Sequence, residues 1–394
     1  MISFDDAFQR VVEIAVPLGT QCVPLGEGAG RILAEPVIAR LSMPRCDVSA
    51  MDGYAVRSAD LGAVPFSLPV RGETAAGSPP GAEFAPGTAV RIFTGAPVPV
   101  GADRVIVQEN VEREGELARI VRPPGAARHI REAGSDFREG DILVPAGRQL
   151  DWRTLTVAAA ADQSPLKVYL RPRVAILATG DELAVPGEAS GIPGAIPESI
   201  SPAIAAFVRS AGGQLISREM YPDDPAQLRL AAAAALAGAD LLILIGGASV
   251  GDRDHSRSLF AGPPDYIFPK VAIKPGKPVW LARIGGKLVL GLPGNPTSAL
   301  VTARLFLAPL LAGLGGRDAA ATVVFESWAL AAALPAAGDR ETFVRARIRD
   351  NRAMPLIHQD SSGQASLLEA DLLLRQPPGN SDFQPGETIQ GLLF

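Results

Sequence analysis

Histidine, cysteine and lysine are all scarce in this chain. Its three histidines, His129, His255 and His358, stand far apart among 394 residues. That separation argues against a His/Cys zinc site, and none sits in a recognisable Ser-His-Asp setting. Two cysteines, Cys22 and Cys46, make no disulfide framework and fit a reducing cytoplasm. The first residues, MISFDDAFQR, are acidic and amphipathic and lack the apolar core of a signal segment. Apolar runs are too short, or too alanine-rich and interrupted, to span a bilayer, so no membrane partner is expected. A net charge of −5 and a pI near 5.4 leave no basic face for duplex nucleic acid.

The few lysines are placed tellingly. Of 37 basic residues five are lysine (Lys167, Lys270, Lys274, Lys277, Lys287), and three of these fall inside KVAIKPGKP, residues 270–278. In an arginine-rich chain such a cluster marks positions that want a compact ammonium rather than a planar fork, or else a solvated loop.

What is present is a long globular sequence, 47% hydrophobic and 20% charged, long enough for two to four domains. Ser3 to Ile14 reads as an amphipathic helix with Ser3 capping Asp6. Residues 20–150 alternate short apolar runs (AVRIF, RVIVQ) with Pro/Gly clusters (AAGSPPG, GAPVPVGA), the rhythm of a β-rich domain. A second helix is expected at 151–162, which makes the β domain an insertion between helical parts. From about 170 strands alternate with helices: 174–179, 201–211, 214–220, 225–236, 241–245, 287–292 and 296–314. This is the pattern of a parallel sheet with right-handed crossovers. Past residue 320 short strands and turns return as a small β domain.

In an open parallel sheet, ligands bind beyond the carboxyl ends of the strands. Four polar clusters stand there: TGDE (179–182), YPDD (221–224), GGASVGDRD (246–254) and LPGNP (292–296). Each alone reads equally as a turn, and Asp223 or Asp224 as a helix cap. Four on one edge point to a ligand site. Carboxylates beside an anionic ligand make sense when a divalent cation bridges them, and hard oxygen ligands suit Mg²⁺.

VSAMDGYAVR (48–57), RIFTGAPVPVGADRVIVQEN (91–110), HIREAGSDFREGDILVPAG (129–147), TGDEL, GGASVGDRD, IKPGKP and GLPGNPTSAL together resemble the molybdopterin molybdenumtransferase family. These are the MoeA-like proteins that also include the C-terminal part of gephyrin. The resemblance covers nearly the whole chain, with seven motifs in register. It implies a multidomain mixed α/β fold: a MogA-like α/β domain at 167–314, and a β-rich inserted domain at 51–131. An elongated helical and linker domain falls at 1–50 plus 132–166, or with part of 20–45 in the β domain, and a small β domain at 315–394.

The resemblance also implies insertion of molybdenum from molybdate into adenylylated molybdopterin, with Mg²⁺-dependent release of AMP. It implies a cytoplasmic homodimer with the site between subunits, and a molybdopterin adenylyltransferase as a partner. By the same resemblance Asp52, Thr94 and Asp136 line the cleft. Glu182, Asp223 and Asp254 hold Mg²⁺ or orient the attacking species. Gly246 and Gly247 admit the pyrophosphate, which Lys270 and Lys274 neutralise. Ser249, Lys274, Pro275, Arg345 and Ser366 form the molybdate pocket, and Pro293, Asn295 and Pro296 join the substrate-binding set. The chain departs from the pattern at IPESISP (196–202), where the family usually has D-S-N: Glu198 keeps a carboxylate, but Ile200 replaces a polar amide. Ala248 and Arg253 also differ, and SGQASLLEAD (362–371) is one residue short. These departures leave open a scaffold role or a changed substrate such as tungstate. An unrelated phosphatase or nucleotidase on the same layout would leave the N-terminal motifs without a role.

Overall fold

The computed structural model describes residues 1–81, 83–246, 259–260 and 264–394. Its centre is a six-stranded sheet of β1 (Arg173–Thr179), β2 (Gln214–Tyr221), β3 (Leu241–Ile245), β4 (Asp265–Phe268), β5 (Trp280–Ile284) and β6 (Lys287–Leu292), in the order β2-β1-β3-β6-β5-β4. The first four in that order run parallel, while β5 pairs antiparallel with both β6 and β4. The expected parallel sheet is present in these four strands, and β5 and β4 extend it as an antiparallel edge. The reason is local: Gly285-Gly286, with φ of 55° and 81°, folds β5 straight back into β6 as a tight hairpin.

All five residues of β3 are buried because helices cover both faces of the sheet. On one face Ile243 and Ile176 meet Ile204 and Val208 of α3 (Ile200–Ser210) and the long α5 (Pro296–Leu314). On the other, Leu242 and Leu177 meet Leu228 and Ala232 of α4 (Pro225–Gly238). Helix α5 has the length and hydropathy of a membrane span, yet 89% of its apolar window is buried in this core.

The N-terminal helix α1 (Phe4–Ile14) is capped as expected, with the Ser3 hydroxyl accepting from the Asp6 N–H at 3.1 Å. Its packing differs from the division at 1–50. Phe4, Ala7 and Val11 join the core of the α/β unit, where the Phe4 ring lies 5.9 Å from Phe306 and 5.1 Å from Phe343. An apolar stripe seeks the nearest large apolar face, and α5 supplies it.

Residues 20–169 zip up from the outside in. Thr20–Val23 pairs with Leu166–Tyr169, Val37–Ile38 with Ile142–Val144, and Val48–Ser49 with Ile130–Arg131. Beyond the last pair sits an inserted six-stranded sheet built from residues 53–120. Helix α2 (Trp152–Ala160) opens on a reciprocal capping box between Asp151 and Thr154. The C-terminal sheet, residues 326–393, borrows a short strand from the α/β unit: Ile273–Lys274 pairs in parallel with Glu341–Thr342. The lysine-rich segment thereby joins the two domains.

Candidate functional site

The carboxyl ends of β1, β3 and β6 open into a cavity of about 570 Å³. Glu182 follows β1, Asp223 follows β2, Gly246 ends β3, and Pro293, Asn295 and Pro296 lead from β6 into α5; all six line it. These are six of the expected site residues, brought together by the strand order. Gly247, Ser249 and Asp254 lie outside the described residues.

Two adjacent carboxylates divide the work after β2. Asp224 caps α4, its Oδ1 accepting from the N–H groups of Ala226 and Gln227 at 2.8 and 3.3 Å. The Gln227 side chain and these two N–H groups hold its carboxyl below the usual range. Asp223 is thus left for the cavity. Its Oδ1 accepts from the Thr179 hydroxyl at 2.5 Å, and its N–H donates to Asp181 Oδ1 at 2.9 Å. Gly246 has a structural requirement of its own. With φ +92°, a Cβ there would stand 2.4 Å from the Thr179 carbonyl oxygen, so only glycine lets the two strand ends approach.

The opposite wall is Ile196, Pro197, Glu198 and Ile200. Glu198, 4% exposed, accepts from the backbone N–H of Ile200 at 2.9 Å and of Ser201 at 2.7 Å, and from the Ser201 hydroxyl. Arg218 Nη1 stands 3.9 Å away. Glu198 therefore caps α3, while Ile200 presents an apolar surface. Ser362 and Gln364 of the C-terminal domain close the rim, and sequence reasoning missed both. Their only signal was proximity to Ser366.

Arg345 and Ser366 are near this rim but turned inward. Arg345 is 1% exposed, and its guanidinium donates to the Thr297 and Ser366 hydroxyls and to the carbonyls of His358 and Asp360, each at 3.0 Å. Longer bonds to Gln359 and Gly363 engage the rest of the fork. Burial lowers its pKa, partly offset by Asp360. Arg345 holds the 358–366 loop against the start of α5, with protein acceptors on each arm of its fork. Ser366 in turn donates to the Gly363 carbonyl at 2.9 Å. Lys270 is half-buried and Lys274 exposed on the turn beside the cavity; of that segment only Pro278 lines it. Pro275 is half-buried next to Lys274.

Asp52, Thr94 and Asp136 stand apart from this cavity. Thr94 bonds Asp52 in the inserted domain. Asp136 lines a second hollow of about 840 Å³ with Cys46, Gly95 and Arg131. The two hollows share no lining residue. Among the described residues no group of three His, Cys, Asp or Glu side chains forms a ready metal cage.

Three family models match the chain in order: MoeA N-terminal region (domain I and II) over residues 2–161, a probable molybdopterin binding domain over 175–313, and MoeA C-terminal region (domain IV) over 328–394. A molybdopterin molybdenumtransferase from Nostoc is 37% identical over 345 residues, covering 86% of this chain and 79% of the relative. The chain belongs to the molybdopterin molybdenumtransferase family. A second such transferase, from Haemophilus influenzae, is 36% identical over 80% of this chain and 78% of its own length. The crystal structure of the molybdopterin biosynthesis MoeA protein from Pyrococcus horikosii superposes with a TM-score of 0.87 at 30% identity, covering 100% of this chain and 99% of that one. Membership places the chain among the enzymes of molybdenum cofactor biosynthesis, and the matched molybdopterin-binding region is the α/β unit that carries the 570 Å³ cavity.

Proposed function

We propose that this protein inserts molybdenum from molybdate into adenylylated molybdopterin and releases AMP. The observation that carries the reading is the convergence of Glu182, Asp223, Gly246 and Asn295 on one cavity at the sheet edge of the molybdopterin-binding region. The cavity has two sides suited to such a substrate. An apolar wall of Ile196, Pro197 and Ile200 fits flat ring systems, and the glycine-lined strand ends admit phosphates close to backbone.

The donor set fits Mg²⁺. Glu182 and Asp223 supply two hard carboxylates, and Mg²⁺ characteristically takes one or two carboxylates with the rest of its shell from water and substrate phosphate. Bound there, Mg²⁺ would neutralise phosphate charge as the linkage to AMP breaks. The chain's own residues orient the reaction. Thr179 fixes Asp223 by its hydroxyl, which leaves one carboxylate oxygen to hold an attacking oxygen species in place. Lys270 and Lys274 at the margin supply positive charge toward the pyrophosphate and molybdate. Arg345 contributes by fixing the loop that bears Ser362 and Gln364.

Asp52, Thr94 and Asp136 serve this chemistry in a homodimer, in which a partner subunit's inserted domain faces the sheet edge. The protein works in the cytoplasm, receiving its pterin substrate from an adenylyltransferase. Ile200 in the wall favours a second reading, a changed oxyanion such as tungstate, which the same assay distinguishes. Purified protein given adenylylated molybdopterin and Mg²⁺ releases AMP only when molybdate is added; no release with excess molybdate overturns the proposal.

A further inference from the structure

Three arginines converge away from the sheet edge, with no carboxylate among them. A small hollow of about 20 Å³ lies between the 30–32 segment, the 169–171 connection and the end of α5. Arg31, Arg171 and Arg317 line it with Gln149, and no Asp or Glu does. It shares no residue with the 570 Å³ cavity.

Arg31 is 8% exposed. Its Nη2 donates to the Tyr169 carbonyl at 2.8 Å, and Gln21, with its amide oxygen turned toward the fork, accepts from both terminal nitrogens. The Arg31 Nε–H is enclosed with no acceptor. Arg317 is half-buried and donates to the Ala211 carbonyl at 2.6 Å. Arg171 is exposed, with no hydrogen-bond or ion-pair partner among the described residues. Burial and the nearby Arg171 charge lower the Arg31 pKa, with Glu27 offsetting part of this; burial does the same to Arg317.

Like charges gathered in a half-closed hollow oppose one another unless an anion joins them, and planar forks suit the oxygens of a compact oxyanion. The enclosed space is a little more than one water needs, room for one oxygen of an anion whose other atoms stay at the mouth beside the exposed Arg171. We propose that the mouth of this hollow binds one small tetrahedral oxyanion of the phosphate class. Because its arginines come from residue 31, the 169–171 connection and the end of α5, the anion would clasp the 20–169 region to the α/β unit.

The test titrates the full-length protein with inorganic phosphate by calorimetry and thermal melting, with sulfate as a separate arm to identify the oxyanion. Arg171→Ala and Arg317→Ala are the informative variants, since these side chains are exposed and half-buried. One anion should bind per chain and raise Tm. Each substitution should weaken binding about tenfold, the effect of losing one charge-assisted hydrogen bond, and the double variant should abolish it. Lys274→Ala should retain the binding, which separates this hollow from the substrate cavity. The proposal fails if wild-type protein binds neither oxyanion saturably, or if binding persists unchanged in the double arginine variant.

Discussion

Thr94 turns both of its donors onto one oxygen of Asp52, the backbone N–H at 2.7 Å and the hydroxyl at 2.8 Å. The backbone bond first, then the hydroxyl, hold the Asp52 carboxyl below the usual range against a smaller desolvation effect, with Arg91 adding to the pull. A carboxyl depressed in this way stabilises the fold above its unfolded pKa, and the contribution is lost as pH falls through the folded value. Thr94→Val keeps the backbone donor and removes the hydroxyl. Asp52 should then titrate at a higher pH, nearer an ordinary aspartate, in a carboxyl NMR titration; an unmoved midpoint would show that the hydroxyl does not hold it.

Asp223 offers a cleaner test of the sheet edge. Asp223→Asn retains an oxygen for the Thr179 hydroxyl, so the melting temperature should stay close to wild type. AMP release should fall at least about 100-fold, as expected when a positioned carboxylate is neutralised. Wild-type turnover in this variant would remove Asp223 from the mechanism.

Gly276 sits in the lysine turn at φ +104°, where a Cβ would stand 2.3 Å from Cγ2 of the buried Thr302. Gly276→Ala therefore meets both a strained backbone and a rigid neighbour. Urea denaturation should show a loss of about 2 kcal/mol or more. The Michaelis constant should rise as well, because Lys274 lies two residues away.

Arg345→Ala would strip donors from two hydroxyls and at least two carbonyls in a buried setting. A stability loss of about 3 kcal/mol is expected, with faster proteolysis within 358–366. Arg345→Lys should recover little of it, since one ammonium cannot span acceptors arranged around a planar fork. Equal stability of the lysine variant and wild type would contradict the clamp.

Much of this arrangement was readable in advance, and the exceptions have definite causes. LLILI announces itself because a strand covered on both faces is apolar throughout. The cap at Asp224 was readable too: Pro225 at the first helical position makes the preceding residue the cap, leaving Asp223 free. The antiparallel β5 escaped because strand–helix alternation implies only parallel strands, whereas Gly285-Gly286 encodes the hairpin that returns β5 into β6. Arg345 entered only through the resemblance, as part of a molybdate pocket, and nothing local reveals that its partners are a hydroxyl at 297 and a loop at 358–366. Its role exists only once two domains are in contact.

The place of α1 bears on how this molecule can be made. Asp5 and Arg375 form an ion pair at 2.7 Å across 370 residues of chain, while Phe4 beds between Phe306 and Phe343. During synthesis the first helix therefore emerges long before its core exists; its apolar stripe finds α5 only after about 300 residues, and Phe343 later still. A fragment of 167–314 alone would have the reverse difficulty, a bare face where α1 belongs. Both ends of the chain close the same core, so the α/β unit reaches its full stability only once the last residues are made.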